Sequence, residues 1–415
     1  MGTGGRRDRT ARLRRRLDAD PRVHRVRRPV APDRPGQTFE LAYVREGPAG
    51  DQPLLVLPGG PGLASVLPYA AFRDEAARRG IDVVMVEHRG VGLSRTDDEG
   101  RDLPPEAFTI EQVVADLAAV LDDCGASRAV VHGSSYGSYL AAGFGVRHPG
   151  RVAGMVLDSA VLSAHDDRVV RRTLRELYWE GRHPSTARAA ELMRAAVASG
   201  AVTVESTGAV AQLVHEFAGP DALEQLLRLR LSGRGRRTWE RLSTLGAAEA
   251  DVRRPLFMES DLVARIAFAE LGYAPDPDGQ PLDVNLSFAA AAAATPFTGE
   301  PYDLRVELPD FSWPTAVVSG DRDLRAPRAV AEEVTGLLPD AVLVPLAGTG
   351  HSALDTHRAA ALLVDQVVRT GGHHRLSALA PRLSALPRRG PSRLLGTAVR
   401  TALAVERVLP ASRAG

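Results

Sequence analysis

From Leu54 to Leu157, short apolar runs alternate with stretches of helical period. Leu54 to Leu57, Ile81 to Val86, Arg128 to His132 and Val152 to Leu157 are rich in branched side chains, as strands buried on both faces are. Between them, Ile110 to Asp123 places Val113, Val114, Leu117, Val120 and Leu121 at helical spacing, and Gly125 ends the helix. A further helical stretch runs to Arg147. Strand–helix alternation at this spacing predicts a mainly parallel, doubly wound α/β sheet. The alternation then stops. Residues 161–304 read as mostly helical, with Leu223 to Leu231 and Leu262 to Leu271 the clearest helices. It resumes with the strand Pro314 to Gly320, the helix Pro327 to Leu338, the strand Val342 to Pro345 and the helix Ala359 to Arg369. The expected organisation is one α/β domain, residues 21–160 and 305–370, interrupted by a helical cap, residues 161–304.

The two ends fall outside this pattern. Residues 1–20 are expected to be a frayed basic tail, followed by a β-rich entry at Val23, Val26 and Phe39 to Val44. Residues 371–415 read as a basic arm in which Pro391 to Pro410 form an amphipathic helix. Arg393, Arg400 and Arg407 recur every seven residues on one face, with Leu395, Val399, Ala402, Leu403 and Leu409 mainly on another. That helix is expected to pack against the α/β body or a second subunit, which makes it a candidate contact for a homo-oligomer.

Composition narrows the chemistry. One cysteine, Cys124, excludes an intramolecular disulfide framework and a cysteine-rich metal site. All 52 basic residues are arginine, so lysine Schiff-base chemistry and a phosphate-loop lysine are excluded. The net charge of +1 hides two basic ends, +8 over residues 1–28 and +7 over 371–415, which leaves −14 for residues 29–370. Such ends are most often simply solvated, and no aromatic base-stacking pattern accompanies them, so no specific nucleic-acid partner is expected. The small-apolar stretch Phe288 to Pro296 is too short to cross a bilayer. Arginines at 12 and 14–16 stand where a signal peptide needs an apolar run. A cytoplasmic protein without a transmembrane segment is expected.

The candidate chemistry sits at the ends of the expected strands. Gly133-Ser134-Ser135-Tyr136-Gly137 fits G-x-S-x-G between a strand and a helix, a turn that holds Ser135 proud of the sheet edge over a helix N-terminus. Ser134 and Ser138 are off-register for that role. A serine hydroxyl needs a base, and His351, in a glycine-flanked loop after a strand, is the best placed. His132 reads as a core residue, His148 as a helix-end residue, and His24, His373 and His374 as solvent-facing. The base in turn needs a carboxylate, and Gly320-Asp321-Arg322-Asp323 offers two, with Asp158 a third choice. The backbone N–H of Tyr136 supplies one oxyanion donor. Pro58-Gly59-Gly60-Pro61-Gly62 supplies the other through Gly60, because its prolines have no N–H.

Together these segments resemble the α/β-hydrolase superfamily, and within it the prolyl iminopeptidase group of serine peptidases. That group carries a His-Gly-Gly-Pro-Gly loop, an Asp-Gln-Arg-Gly-x-Gly-x-Ser segment and a Gly-Gly-Ser-Trp-Gly-Ser elbow. Here they read Pro58 to Gly62, Glu87-His88-Arg89-Gly90-Val91-Gly92-Leu93-Ser94, and Gly133 to Ser138. Its acid motif Gly-x-x-Asp-x-x-x-Pro falls on Gly320, Asp323 and Pro327, which favours Asp323 over Asp321. Its Gly-His pair falls on Gly350 and His351. The match covers about residues 37–160 and 313–355.

The resemblance implies a serine hydrolase that cleaves an amide or ester of a small substrate through an acyl-enzyme, with Ser135, Asp323 and His351 as triad and no metal or organic cofactor. An aminopeptidase acting on small peptides is the leading expectation. An esterase on the same fold is the alternative, and a low-turnover ligand-binding protein the second. Pro58, Glu87-His88 and Tyr136 depart from the family pattern. So does Arg265-Ile266-Ala267, where the family has a glutamate that holds the substrate's free amine. Glu180, Glu259, Asp261 and Glu270 are the candidates to replace it, with Gly59 on the substrate side of the oxyanion loop.

Overall fold

The computed structural model describes residues 3–34, 36–247, 253–273, 276–388 and 392–408. The chain opens with helix α1 (Thr3–Asp18), then strands β1 (Val23–Pro29), β2 (Thr38–Glu46) and β3 (Leu54–Leu57), helix α2 (Ala70–Arg78) and β4 (Val83–Val86). Helix α3 (Ile110–Asp123), β5 (Ala129–Ser134), α4 (Tyr136–Arg147) and β6 (Val152–Asp158) complete the first half of the sheet. The insertion holds α5 (Asp166–Arg175), α6 (Ala187–Ala198), α7 (Val204–Ala218), α8 (Pro220–Leu231) and α9 (Arg236–Ala247). It continues with a short hairpin of β7 (Arg253–Arg254) and β8 (Met258–Glu259), then α10 (Ser260–Ala269) and α11 (Ala289–Ala294). After α12 (Leu304–Glu307) come β9 (Thr315–Gly320), α13 (Arg328–Leu337), β10 (Ala341–Leu346), α14 (Ala353–Thr356), α15 (Arg358–Arg369), α16 (Leu376–Ser384) and α17 (Ser392–Val408).

The main sheet has eight strands in the order β1-β2-β4-β3-β5-β6-β9-β10. The first two pairings, β1 with β2 and β2 with β4, are antiparallel, and the rest are parallel. Every residue of β3, β4, β5 and β9 is buried, as expected where helices cover both faces. One face packs on α3, α4 and α13 through Leu117, Leu140 and Val334, and the other on α2, α15 and α16 through Phe72, Val364 and Leu376. The six parallel strands point the same way, so their carboxyl ends share one edge. The insertion has its own apolar core, built from residues such as Leu174, Met193, Val214 and Leu226. No helix among the described residues is long and apolar enough to cross a membrane.

Both ends of the chain differ from expectation. The expected frayed tail is helix α1, whose Leu13 and Leu17 pack against Ala42, Val44 and Leu93 while Arg14 donates to the Gly92 carbonyl at 2.7 Å. Two apolar side chains on one face are enough to dock it, although arginine dominates its composition. The arm divides in two. Helix α16 belongs to the α/β core through Leu376, Ala380 and Leu383. Helix α17 is the expected amphipathic helix. It lies mainly on the insertion, with Val399 and Leu403 in the insertion's core, and touches the α/β body at α14. Gly396 lets the helix backbone approach the Phe217 carbonyl, where any Cβ would collide. Arg400 donates to the Ala218 carbonyl at 2.9 Å, and Glu406 accepts from the Gly235 and Thr238 N–H groups. Leu395 is exposed. Pro391, Leu409, Pro410 and the Arg393 side chain lie outside the described residues.

A chain ended after Arg388 loses α17 alone. A fully buried aliphatic side chain contributes about 1.5–3 kcal/mol. Removing Val399 and Leu403 together with the helix is therefore expected to lower Tm by roughly 3–7 °C, read by thermal melting.

Candidate active site

The loop after β5 turns sharply into helix α4. Ser135 sits at φ 53° and ψ −122°, a positive φ that a non-glycine residue holds only when its surroundings enforce it. Two glycines make that possible. A Cβ on Gly133 would overlap the Gly137 carbonyl, and one on Gly137 would overlap the Leu57 carbonyl, so strand, elbow and helix α4 touch backbone to backbone. The Ser135 N–H donates to the Asp158 carbonyl at 2.8 Å, and Ser138 returns two hydrogen bonds to the Ser135 carbonyl. Ser134 is buried and donates to the Ser352 hydroxyl at 2.7 Å. The two flanking serines therefore brace the elbow.

Across the edge, the loop after β9 presents Asp323 and the loop after β10 presents His351. The imidazole Nδ1 lies 3.0 Å from both Asp323 oxygens, and a carboxylate only accepts, so Nδ1 carries the proton. Asp323 is buried and also accepts from the Arg325 and Ala326 N–H groups at 2.9 and 2.8 Å. Burial pushes its carboxyl up, but the His351 charge and hydrogen bonding outweigh that and hold it below the ordinary carboxylate range. Burial likewise pushes His351 down, and Asp323 more than reverses this, so the imidazole is raised above its ordinary value. Asp321 is exposed two residues away. Asp158 is spent elsewhere: it accepts from the Ala353 and Leu354 N–H groups at the start of α14.

The loop after β3 lies directly on the elbow. A Cβ on Gly59 would stand 3.3 Å from the Ser135 Cβ, and Gly60 follows at φ 130°. The Tyr136 N–H is the first of helix α4, a position where a backbone N–H has no intrahelical acceptor. The Tyr136 ring is buried edge-on to His88, whose imidazole burial holds down to about 4 and therefore neutral at pH 7. The rest of the segment from Glu87 to Ser94 is a brace. Glu87 accepts from the Ser65 and Val66 N–H groups at 2.5 and 2.9 Å, and Arg89 forms a two-point pair with Asp116 at 2.7 Å.

The candidate amine-holding residues do not gather at the site. Glu180 is 40% exposed and paired with Arg182. Glu259 is buried, but it accepts from the Gly92 and Leu256 N–H groups and from Arg95, which ties the insertion to the loop after β4. Asp261 is bound to the same Arg95 at 2.8 Å. Glu270 is half-buried, caps helix α3 by accepting from the Ile110 N–H at 2.7 Å, and acts electrostatically on the Tyr136 phenol.

One carboxylate that the sequence did not single out does reach the site. Glu216, in the last turn of α7, is 6% exposed and accepts from the His351 N–H at 3.3 Å and from Arg325 at 3.1 Å. No local motif marks it among the insertion's many charges.

Two other histidines behave differently from solvent-facing or neutral core residues. His132, inside β5, donates to Asp365 at 2.7 Å and has Asp158 3.8 Å away. Burial opposes its charge, but these carboxylates raise it to about 10. His373 is buried, correcting its expected exposure, and meets His374 around Asp340. Their ligand atoms lie within 4.8 Å of one another, the only such metal-competent group among the described residues. It lies at the start of β10, on the edge opposite Ser135.

Comparison with known proteins agrees with this geometry. A stretch of 106 residues is 33% identical to a probable proline iminopeptidase of Streptomyces coelicolor, covering 26% of this chain and 32% of that protein. Another of 133 residues is 28% identical to a proline iminopeptidase of Neisseria meningitidis, covering 32% and 40%. The chain thus spans about a third of the length of the curated relatives it matches. The crystal structure of the Mycobacterium smegmatis proline iminopeptidase superposes with a TM-score of 0.51 at 19% identity, over 86% of this chain and 99% of that one, a likeness of fold alone. The sequence model of the alpha/beta hydrolase fold matches residues 52–358, well over half of the chain and the whole span from β3 to the loop that carries His351. With its sheet order and its strand–turn–helix elbow, the chain belongs to the alpha/beta hydrolase fold family.

Proposed function

We propose that the protein is a serine hydrolase working through an acyl-enzyme, with Ser135 as nucleophile, His351 as general base and acid, and Asp323 as its carboxylate. The observation that carries this reading is a serine held at positive φ on the edge where a carboxylate-anchored imidazole also stands. His351 takes the Ser135 proton as the serine attacks a substrate carbonyl. The Tyr136 and Gly60 N–H groups hold the oxyanion, and Gly59 lies along the acyl group. The imidazolium then protonates the leaving amine or alkoxide, and water repeats the sequence on the ester.

Within this class, an aminopeptidase removing N-terminal residues from small peptides is the first reading. Its support is the motif resemblance and the proline iminopeptidases among the relatives. Glu270 is the remaining candidate to face a free amine. An esterase is the second reading, favoured by Glu180, Glu259 and Asp261 being engaged by arginines. A parallel assay of aminoacyl-naphthylamides, including prolyl, against nitrophenyl esters of several chain lengths tests the two. Ester turnover without naphthylamide turnover would overturn the aminopeptidase reading.

The mechanism fixes a pH dependence. A base must be unprotonated, and His351 is raised above the ordinary 6.5. The rate is expected to rise with pH through an inflection above 6.5, measured as kcat/KM between pH 5 and 9. An inflection at or below 6.5 would contradict the Asp323–His351 pairing as the source of basicity.

A further inference from the structure

We propose that Glu216 is a positioning residue that ties the helical cap to the acid–base pair, so that His351 is held in register only while α7 is seated. This rests on the serine hydrolase reading above. Glu216 bridges the two loops that carry the acid and the base. One oxygen accepts the N–H of His351 itself, and the other accepts from Arg325, two residues beyond Asp323. The Arg325 N–H in turn donates to Asp323. A single carboxylate from the cap therefore closes a ring through Arg325, Asp323 and His351.

The packing around that ring leaves little slack. A Cβ on Gly350 would stand 2.5 Å from the Glu216 Cγ, so only glycine lets the base loop sit on this side chain. The end of α7 is itself anchored. Arg400 of α17 donates to the Ala218 carbonyl, and Gly396 of α17 lies against the Phe217 carbonyl, so the two residues after Glu216 are both clamped by α17. A carboxylate desolvated to this degree is retained only with partners that compensate it, and here those partners are the two catalytic loops. Burial pushes the Glu216 carboxyl up, and Arg325 and His351 offset this only in part, so it stays above its ordinary value.

The geometry has a kinetic consequence. Displacing a catalytic group by about 1 Å costs on the order of 10²-fold in rate. Glu216→Ala frees the base loop and is expected to slow fluorophosphonate labelling of Ser135 by about 10–100-fold. Glu216→Gln keeps an oxygen for the His351 N–H and is expected to lie between the alanine variant and wild type. It also serves if the alanine variant does not fold. A second readout separates positioning from mere stability. The charged groups acting on His351 are Asp323, Arg325, Glu216 and Asp355. Removing the Glu216 charge removes one that favours the imidazolium, so the acid limb of the labelling rate is expected to move to lower pH in both variants. Labelling at the wild-type rate with an unmoved acid limb, in a variant that melts normally, would overturn the proposal. A wild-type protein that the probe never labels would instead overturn the serine hydrolase reading, and this inference with it.

Discussion

Ser135→Ala is expected to abolish labelling by a fluorophosphonate probe and to lower turnover on the best substrate by on the order of 10⁴–10⁶-fold. On the proposed mechanism the effect is this large because a triad acts as a unit: without the serine oxygen, base and oxyanion donors have no covalent step to serve. The fold should survive. The Ser135 side chain carries none of the bonds that hold the elbow, which run through the Ser135 N–H to Asp158 and through the Ser138 hydroxyl to the Ser135 carbonyl. Ser134→Ala provides the contrast. Its hydroxyl donates to Ser352 inside the protein, so its loss should reduce stability while labelling persists. Full labelling of the Ser135→Ala protein, or label mapped by mass spectrometry to Ser134, would remove Ser135 from the nucleophile's place.

The fold was legible where short-range physics decides it. Ile110–Asp123 forms with the bounds that its apolar spacing predicts, because five apolar residues on one face have a sheet to cover. The elbow was legible for a related reason: only glycine tolerates the contacts at 133 and 137, so sequence and geometry there are nearly the same statement. Legibility failed where the partner is distant in the chain. Glu180, Glu259, Asp261 and Glu216 are indistinguishable as acids on a helical insertion. What separates them is which element lies opposite, Arg182 for the first, Arg95 for the next two, and the base loop 135 residues away for the last. The amphipathic helix α17 was legible as a helix but not by its seat, because Val399 and Leu403 would suit any apolar surface. Helix α1 was missed because its arginine content outweighed Leu13 and Leu17, the two residues that dock it.

The choice between the two aspartates after β9 is the second large effect. Asp323→Asn is expected to lower kcat by about 10⁴-fold, while Asp321→Asn stays within a few-fold of wild type. The reason lies in proton inventory. Asp323 accepts only, so it fixes the proton on Nδ1 of His351 and leaves Nε2 able to take the nucleophile's proton. An asparagine amide can instead donate to Nδ1, which places the imidazole proton on Nε2 and blocks the base. It also withdraws the charge that raises His351 against the cost of burial. The backbone donors Arg325 and Ala326 can still meet the asparagine oxygen, so the turn should hold. Asp321 is exposed, and its carboxylate contributes nothing comparable to the imidazole. Asp158→Asn separates a structural acid from a catalytic one: it weakens the start of α14, next to the base, and should cost more stability than rate. If Asp321→Asn proves the more damaging at equal Tm, or if Asp158→Asn matches Asp323→Asn in kcat, the carboxylate has been assigned to the wrong strand end.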